Sequence, residues 1–298
     1  MALSTRSAAS RIERTLRSAS ARKGLVIALS SALVTGASAG LGAEFATQLA
    51  ERGHNLVLVA RSADRLQRHA EHLRATHGVR VDVIVQDLTA PDATARISAD
   101  LAAAGLTIDV LVNNAGFGTA GRFEQIPGGR DQEQLMVNVV ALVGLTRALV
   151  PGMLARGQGS IINVASTAGF QPSPYFATYS AGKTFVLNFS LALRSEYRGR
   201  GVRVLALCPD PTRTSFFDTV GERAALGGKM MPAHTVVHAA LAALDRDRAY
   251  VVPGLGNSLN AHLTPRRPRR LVTAIAKLVT RSVLDTPAPT EPKQPQAA

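Results

Sequence analysis

Three residues of this 298-residue chain have types and spacing that suit proton transfer: Ser166, Tyr179 and Lys183. Tyr179 and Lys183, in Tyr-Ser-Ala-Gly-Lys, are four apart, so on a helix they share one face. An ammonium beside a phenol favours the phenolate, and the expected effect is a phenol pKa below its usual value of about 10. A phenol tuned in this way exchanges a proton with a carbonyl being reduced or an alcohol being oxidised. Ser166 ends the apolar run Ser160-Ile-Ile-Asn-Val-Ala-Ser166, where its hydroxyl can hydrogen-bond the same substrate oxygen. An isolated Tyr-x-x-x-Lys is most often a surface pair, so its meaning depends on the rest of the chain.

A second chemical stretch is Ser31-Ala-Leu-Val-Thr-Gly-Ala-Ser-Ala-Gly-Leu-Gly42. Ala32 to Thr35 read as a buried strand, and Ala43, Phe45, Ala46, Leu49 and Ala50 as the apolar face of a helix. Strand, glycine-rich turn and helix in that order make a phosphate site, because glycines allow close backbone approach and the helix N-terminus offers free N–H groups. After the next strand comes Ala60-Arg61-Ser62. An acid there would bind the ribose 2′-hydroxyl of NAD; Arg61 suits the 2′-phosphate of NADP instead, so NADP is expected over NAD. Asp87-Leu88 and Asn113-Asn-Ala-Gly116 each follow a strand, where open α/β sheets bind ligands.

These groups must be held by a regular frame, and the chain supplies one. Strands are expected at 32–35, 56–60, 81–85, 110–113, 160–166, 202–208 and 249–252. Helical segments are expected near 43–52, 63–76, 92–104, 131–155, 179–199 and 233–246. Such alternation implies an α/β fold: a doubly wound parallel (Rossmann-type) sheet with helices on both faces, in a single domain. The organisation expected is a basic leader over 1–29, the folded domain over 30–258, a basic amphipathic helix over 259–284 and a disordered tail over 285–298.

Net charge is +13, but residues 1–23 and 262–298 carry +5 each, leaving +3 on the body. Nucleic acid is therefore not an expected partner of the fold. The single cysteine, Cys208, sits in an apolar run and excludes a multi-cysteine metal site; no metal is expected. Residues 1–23 have the composition of an organelle transit peptide, though a frayed leader is the preferred reading, and the location expected is cytoplasmic.

Thr35-Gly-x-x-x-Gly-x-Gly42, Asn113-Asn-Ala-Gly116, Asn138, Ser166 and Tyr179-x-x-x-Lys183, in this order and at these intervals, resemble the short-chain dehydrogenase/reductase family from about residue 30 to about 255. The resemblance implies hydride transfer between NAD(P) and an alcohol/carbonyl pair, with a small carbonyl or alcohol compound as partner. Tyr179 would be the general acid/base, Ser166 the partner of the substrate oxygen, and Lys183 the pKa tuner and a ribose ligand. Asn138 would hold a water in a proton relay. The implied cofactor site takes in Gly36, Ser38, Gly40 and Leu41 at the pyrophosphate and Arg61 and Ser62 at the ribose phosphate. Asp87 and Leu88 would lie at the adenine, with Asn113, Ala115 and Gly116 on the adenosine side. Tyr179, Lys183, Pro209, Thr212 and Thr214 would complete the site at the nicotinamide end. Members are often dimers or tetramers, so a homo-oligomer is expected.

One departure stands out: Asp210, in Cys208-Pro-Asp-Pro-Thr-Arg-Thr214, occupies the place of a family glycine. It is read as tolerated variation; loss of activity, leaving a catalytically silent nucleotide-binding scaffold, is the alternative. Residues 212–232, with Phe216, Phe217, Met230 and Met231, resemble the family's substrate lid. Ala168, Phe170, Pro172, Pro174 and Phe176 would line the opposite wall, which hints at a lipophilic carbonyl compound. In the tail, Leu271, Ile275, Leu278 and Val279, with Ser282 and Val283 next along, form a helical stripe that Arg269, Arg270, Lys277 and Arg281 mostly avoid. The preferred expectation is that this stripe packs on the body or on a second subunit; peripheral contact with an anionic membrane is the alternative.

Overall fold

The computed structural model describes residues 30–213 and 230–285. The leader over 1–29, most of the 212–232 insert with Phe216 and Phe217, Thr214, and residues 286–298 lie outside the described residues. Seven parallel strands form the central sheet: β1 (Ser31–Thr35), β2 (Asn55–Ala60), β3 (Val81–Val85), β4 (Val110–Asn113), β5 (Gly159–Val164), β6 (Val202–Leu207) and β9 (Tyr250–Val251). Their spatial order is β3-β2-β1-β4-β5-β6-β9. The order reverses between β1 and β4, which opens a crevice beyond the carboxyl ends of those strands. Two further short strands, β7 (Thr212–Arg213) and β8 (Met231–Pro232), pair with each other at either end of the insert.

The period-two alternation along each strand feeds two cores. On one face Ala32, Val34, Leu56, Leu58, Val112 and Leu205 pack with α1 (Gly40–Glu51), α2 (Ala63–His77) and α7 (Ala233–Asp245). On the other, Leu33, Val57, Leu111, Ile161 and Val204 meet α3 (Ala93–Ala103), α5 (Ala141–Arg156) and α6 (Ala177–Tyr197). Leu33, Leu58, Leu111 and Ile161 are fully buried, and truncating one such side chain to alanine costs about 2–5 kcal/mol. A parallel sheet covered on both sides explains why these strands read as nearly continuous apolar runs.

Preceding α5, α4 (Arg130–Leu135) runs into a π-helical turn, Met136–Val140, and the three segments form one 27-residue helix. That helix is long and apolar enough to cross a bilayer by composition, yet Leu142, Leu145, Val150 and Met153 are buried on the sheet. The π turn directs Asn138 into the interior.

Two elements follow the sheet: α8 (Leu255–Leu263) and α9 (Arg269–Thr280). The single helix expected over 259–284 is two: α8 begins before the boundary expected at residue 258, and the stretch with Pro265 and Pro268 separates it from α9. The expected stripe packs on the body only at its end, where Val283 is buried against Phe176. Val272, Ala276 and Thr280 are buried instead, and Leu271, Ile275, Leu278 and Val279 are each between 45% and 74% exposed.

The turn after β1 requires glycine at two points. Gly36 has φ +66°, and a Cβ there would lie 2.9 Å from the Ala115 Cα. A Cβ on Gly42 would collide with the Gly36 carbonyl oxygen. Gly42→Ala is therefore expected to cost several kcal/mol or to displace the turn, read as a shifted urea midpoint. Gly128→Ala, where an added Cβ meets open space, should stay within about 0.5 kcal/mol of the parent.

Candidate active site

A cavity of about 1050 Å³ lies beyond the carboxyl ends of the strands. At one end Gly36, Ser38, Gly40 and Leu41 line it. Helix α1 starts there with no side-chain cap and no acid in its first turn, so its leading N–H groups face the cavity unneutralised. Arg61 and Ser62, following β2, and Asp87 and Leu88, following β3, line the next section. The Arg61 side chain is 70% exposed, and its guanidinium lies 3.8 Å from Asp87, a loose surface pair. Arg65, one turn further on in α2, lines the same section. The residues alone offered one signal for Arg65: its spacing of four from Arg61 at a helix start.

Asn113 was expected at the adenosine side, but its side chain belongs to the sheet core. It is 3% exposed, and its Nδ2 donates to the Thr146 hydroxyl at 3.0 Å and to Asn163 Oδ1 at 2.9 Å. Alternation at the strand end explains the swap, because the next residue, Asn114, faces the cavity with Ala115 and Gly116. Asn114 also ties β4 to β1, donating from its backbone N–H to the Thr35 hydroxyl and from Nδ2 to the Thr35 carbonyl. Asn138 likewise does not line the cavity. Its side-chain amide pairs with both backbone groups of Phe117, donating at 2.9 Å and accepting at 3.1 Å. It thereby fixes the turn that carries Ala115 and Gly116.

Ser166, Tyr179 and Lys183 meet at the middle of the cavity. Ser166 is close enough to the Tyr179 phenol to act on its titration. Lys183 Nζ donates to the Val164 carbonyl at 2.7 Å and stands 5.7 Å from the centroid of the Tyr179 ring. The sign expected for the phenol is reversed. Burial pushes Tyr179 up to about 12, against the smaller opposing effect of the neighbouring Ser166. Burial also lowers Lys183 to about 8. Both groups thus lean toward their neutral forms, and at neutral pH Tyr179 is a protonated phenol, suited to giving a proton.

Pro209, Asp210 and Thr212 line the end opposite the glycine-rich turn. Asp210 does not obstruct it. Its carboxylate accepts from the Thr167 hydroxyl at 2.8 Å, and the Thr212 hydroxyl donates to its backbone carbonyl at 2.8 Å. The carboxylate therefore clamps the segment after β6 to the residue that follows Ser166. Ala168, Phe170 and Phe176 line the cavity as expected, while Pro172 and Pro174 do not. Much of the apolar wall comes instead from α8 and α9, through Ala261, Val272, Ile275, Ala276 and Val279.

Residues 30–225 match the family model described as short chain dehydrogenase, and the chain belongs to that family. Among curated relatives, the very-long-chain 3-oxoacyl-CoA reductase of Anas platyrhynchos is 38% identical over 183 residues, covering 60% of this chain and 58% of that one. The 17-beta-hydroxysteroid dehydrogenase type 3 of Rattus norvegicus is 36% identical over 180 residues. A short-chain dehydrogenase from Sphingobium yanoikuyae, solved in complex with NADPH, superposes with a TM-score of 0.73 at 33% identity, covering 91% of this chain and 98% of that one. The aligned region spans 58% of the length of the first curated relative.

Removing the Asp210 clamp with Asp210→Gly should lower stability by about 1 kcal/mol, the scale of one partly exposed hydrogen bond. Urea unfolding measures it, and an unchanged midpoint would show that the contact with Thr167 contributes nothing.

Proposed function

We propose that the chain reduces the carbonyl group of a lipophilic ketone or acyl-type compound with NADPH, using Tyr179 as the proton donor. The observation that carries this reading is the convergence of Ser166, Tyr179 and the buried Lys183 on one cavity that the glycine-rich turn also lines. The residues fit the cofactor. The uncapped start of α1 suits a pyrophosphate, and Arg61 with Arg65 suits a 2′-phosphate, with no acid at the end of β2 to select the 2′-hydroxyl. Bound NADPH would supply the hydride; the protein supplies orientation and manages the proton.

In this reading the substrate oxygen sits within reach of both hydroxyls. Tyr179 gives its proton to that oxygen as negative charge develops on it, and Ser166 hydrogen-bonds the same atom. The resulting phenolate is favoured by the Lys183 ammonium, so the raised resting pKa of Tyr179 and its value during turnover differ. The neighbour solved with NADPH supports the choice of cofactor, and the relatives named as 3-oxoacyl-CoA reductases support an acyl-type ketone. The apolar lining from Phe170, Phe176, Val272 and Ile275 supports a lipophilic substrate.

Tyr179→Phe is expected to lower kcat by about 10²-fold or more while leaving the NADPH Kd nearly unchanged; persistent turnover would remove Tyr179 from the proton step. Arg61→Asp should weaken NADPH binding about ten-fold or more and leave NADH binding little affected, since the loss is of one charged phosphate contact. Equal weakening of both would place Arg61 elsewhere. The pH dependence has a definite sign. A lysine lowered to about 8 holds its charge only below that pH, so kcat/KM for reduction should fall as pH rises through about 8. A profile flat from pH 6 to pH 10 would contradict a role for the Lys183 charge.

A further inference from the structure

The segment 253–284, which forms α8 and α9, contains six lysine and arginine residues and no acidic residue. It also concentrates the exposed apolar surface. Seven of the twelve large apolar side chains exposed among the described residues lie in it. On α8 they are Leu255, 94% exposed, with Leu259 and Leu263, spaced by four and so on one face. On α9 they are Leu271, Ile275, Leu278, 74% exposed, and Val279.

Around α9 the residues fall into three sectors. Val272, Ala276 and Thr280 face the body; the exposed apolar stripe comes next; Arg270 and Lys277, with Arg281 just past the helix end, occupy the remaining side, and Arg269 opens the helix, all four solvent-exposed. This is the arrangement of a helix lying in the plane of a lipid interface, with an apolar strip to insert and cations to meet headgroups. Ile275 and Val279 belong both to that stripe and to the cavity wall. The exposed apolar strip is therefore continuous with the lip of the cavity.

We infer that α8 and α9 form a docking surface for an anionic membrane, holding the mouth of the cavity against the lipid. Charge decides between this occupant and a second copy of the chain. A two-fold contact through the same face would oppose two segments that each carry six positive charges and no negative one, whereas anionic headgroups complement them. The inference concerns where the protein sits and stands apart from the reaction assigned above. Its consequence for that reaction is that an amphiphilic substrate would reach Tyr179 along the lip rather than through bulk water.

The test is cosedimentation of the full chain with vesicles of phosphatidylcholine alone or mixed with phosphatidylserine. Binding is expected only to the mixed vesicles, weakening as salt rises. The double variant Leu259→Asp/Leu278→Asp and the triple variant Arg269→Gln/Arg270→Gln/Lys277→Gln should each reduce the bound fraction about ten-fold. Their melting temperatures should match the parent, because all five side chains are exposed. A variant with Arg6, Arg11 and Arg14 changed to glutamine controls for the basic leader and should still bind. Three results would overturn the inference. The wild-type chain could remain in the supernatant with both vesicles. Binding could survive both helix variants but be lost with the leader arginines. The wild-type chain could be a dimer that Leu259→Asp/Leu278→Asp splits, which would show the face to be covered by a second copy.

Discussion

The site depends on one buried cation. Lys183 is 5% exposed and donates from Nζ to the carbonyl of Val164, the last residue of β5. Burying an ammonium is unfavourable unless it is hydrogen-bonded, and the carbonyl supplies that partner while burial lowers the lysine pKa to about 8. That contact fastens α6 to the end of β5. Ser166 follows Val164 by two residues and Tyr179 precedes Lys183 by one helical turn, so the same contact sets the two hydroxyls together. Gly169 closes the arrangement, since a Cβ there would lie 2.8 Å from the Lys183 carbonyl oxygen. A longer side chain at that point would push the helix off the strand.

The frame was legible because its signals are local and repeated. Each expected strand appears, with ends displaced by at most two residues, since β-branched apolar runs between helical periods have few other ways to bury both faces. Side-chain direction at strand ends was harder. Asn113 and Asn114 are chemically identical neighbours, and only the register of β4 decides which one reaches the cavity. The phenol's titration was misread for a related reason. Spacing places Lys183 near Tyr179, but burial, which no spacing reveals, dominates the phenol and raises its pKa. The stripe on α9 shows the limit of periodicity: it identifies an apolar face and leaves open whether that face turns inward.

At position 210, where the family resemblance implies a glycine, the carboxylate is held by a neighbouring hydroxyl. A carboxylate in place of glycine adds bulk and charge beside the reacting end of the cavity. Thr167 accommodates both by donating a hydrogen bond to it. The Asp210 carboxylate is therefore a brace between the segment following β5, which carries Ser166, and the segment following β6. Ser166, Tyr179 and Lys183 are assembled around the same cavity. The apolar wall supplied by α8 and α9 gives that cavity its chemical character.

The most direct test of the account is a fluorescence titration of the purified chain with NADPH and with NADH, followed by addition of a long-chain 3-oxo thioester. The chain contains no tryptophan, so protein emission will not obscure the nucleotide signal. The account predicts at least about ten-fold tighter binding of NADPH, as expected for one charge-assisted phosphate clamp, and loss of the signal as the ketone is reduced. Absence of binding by either nucleotide, or NADPH binding with no oxidation by any lipophilic ketone, would contradict it.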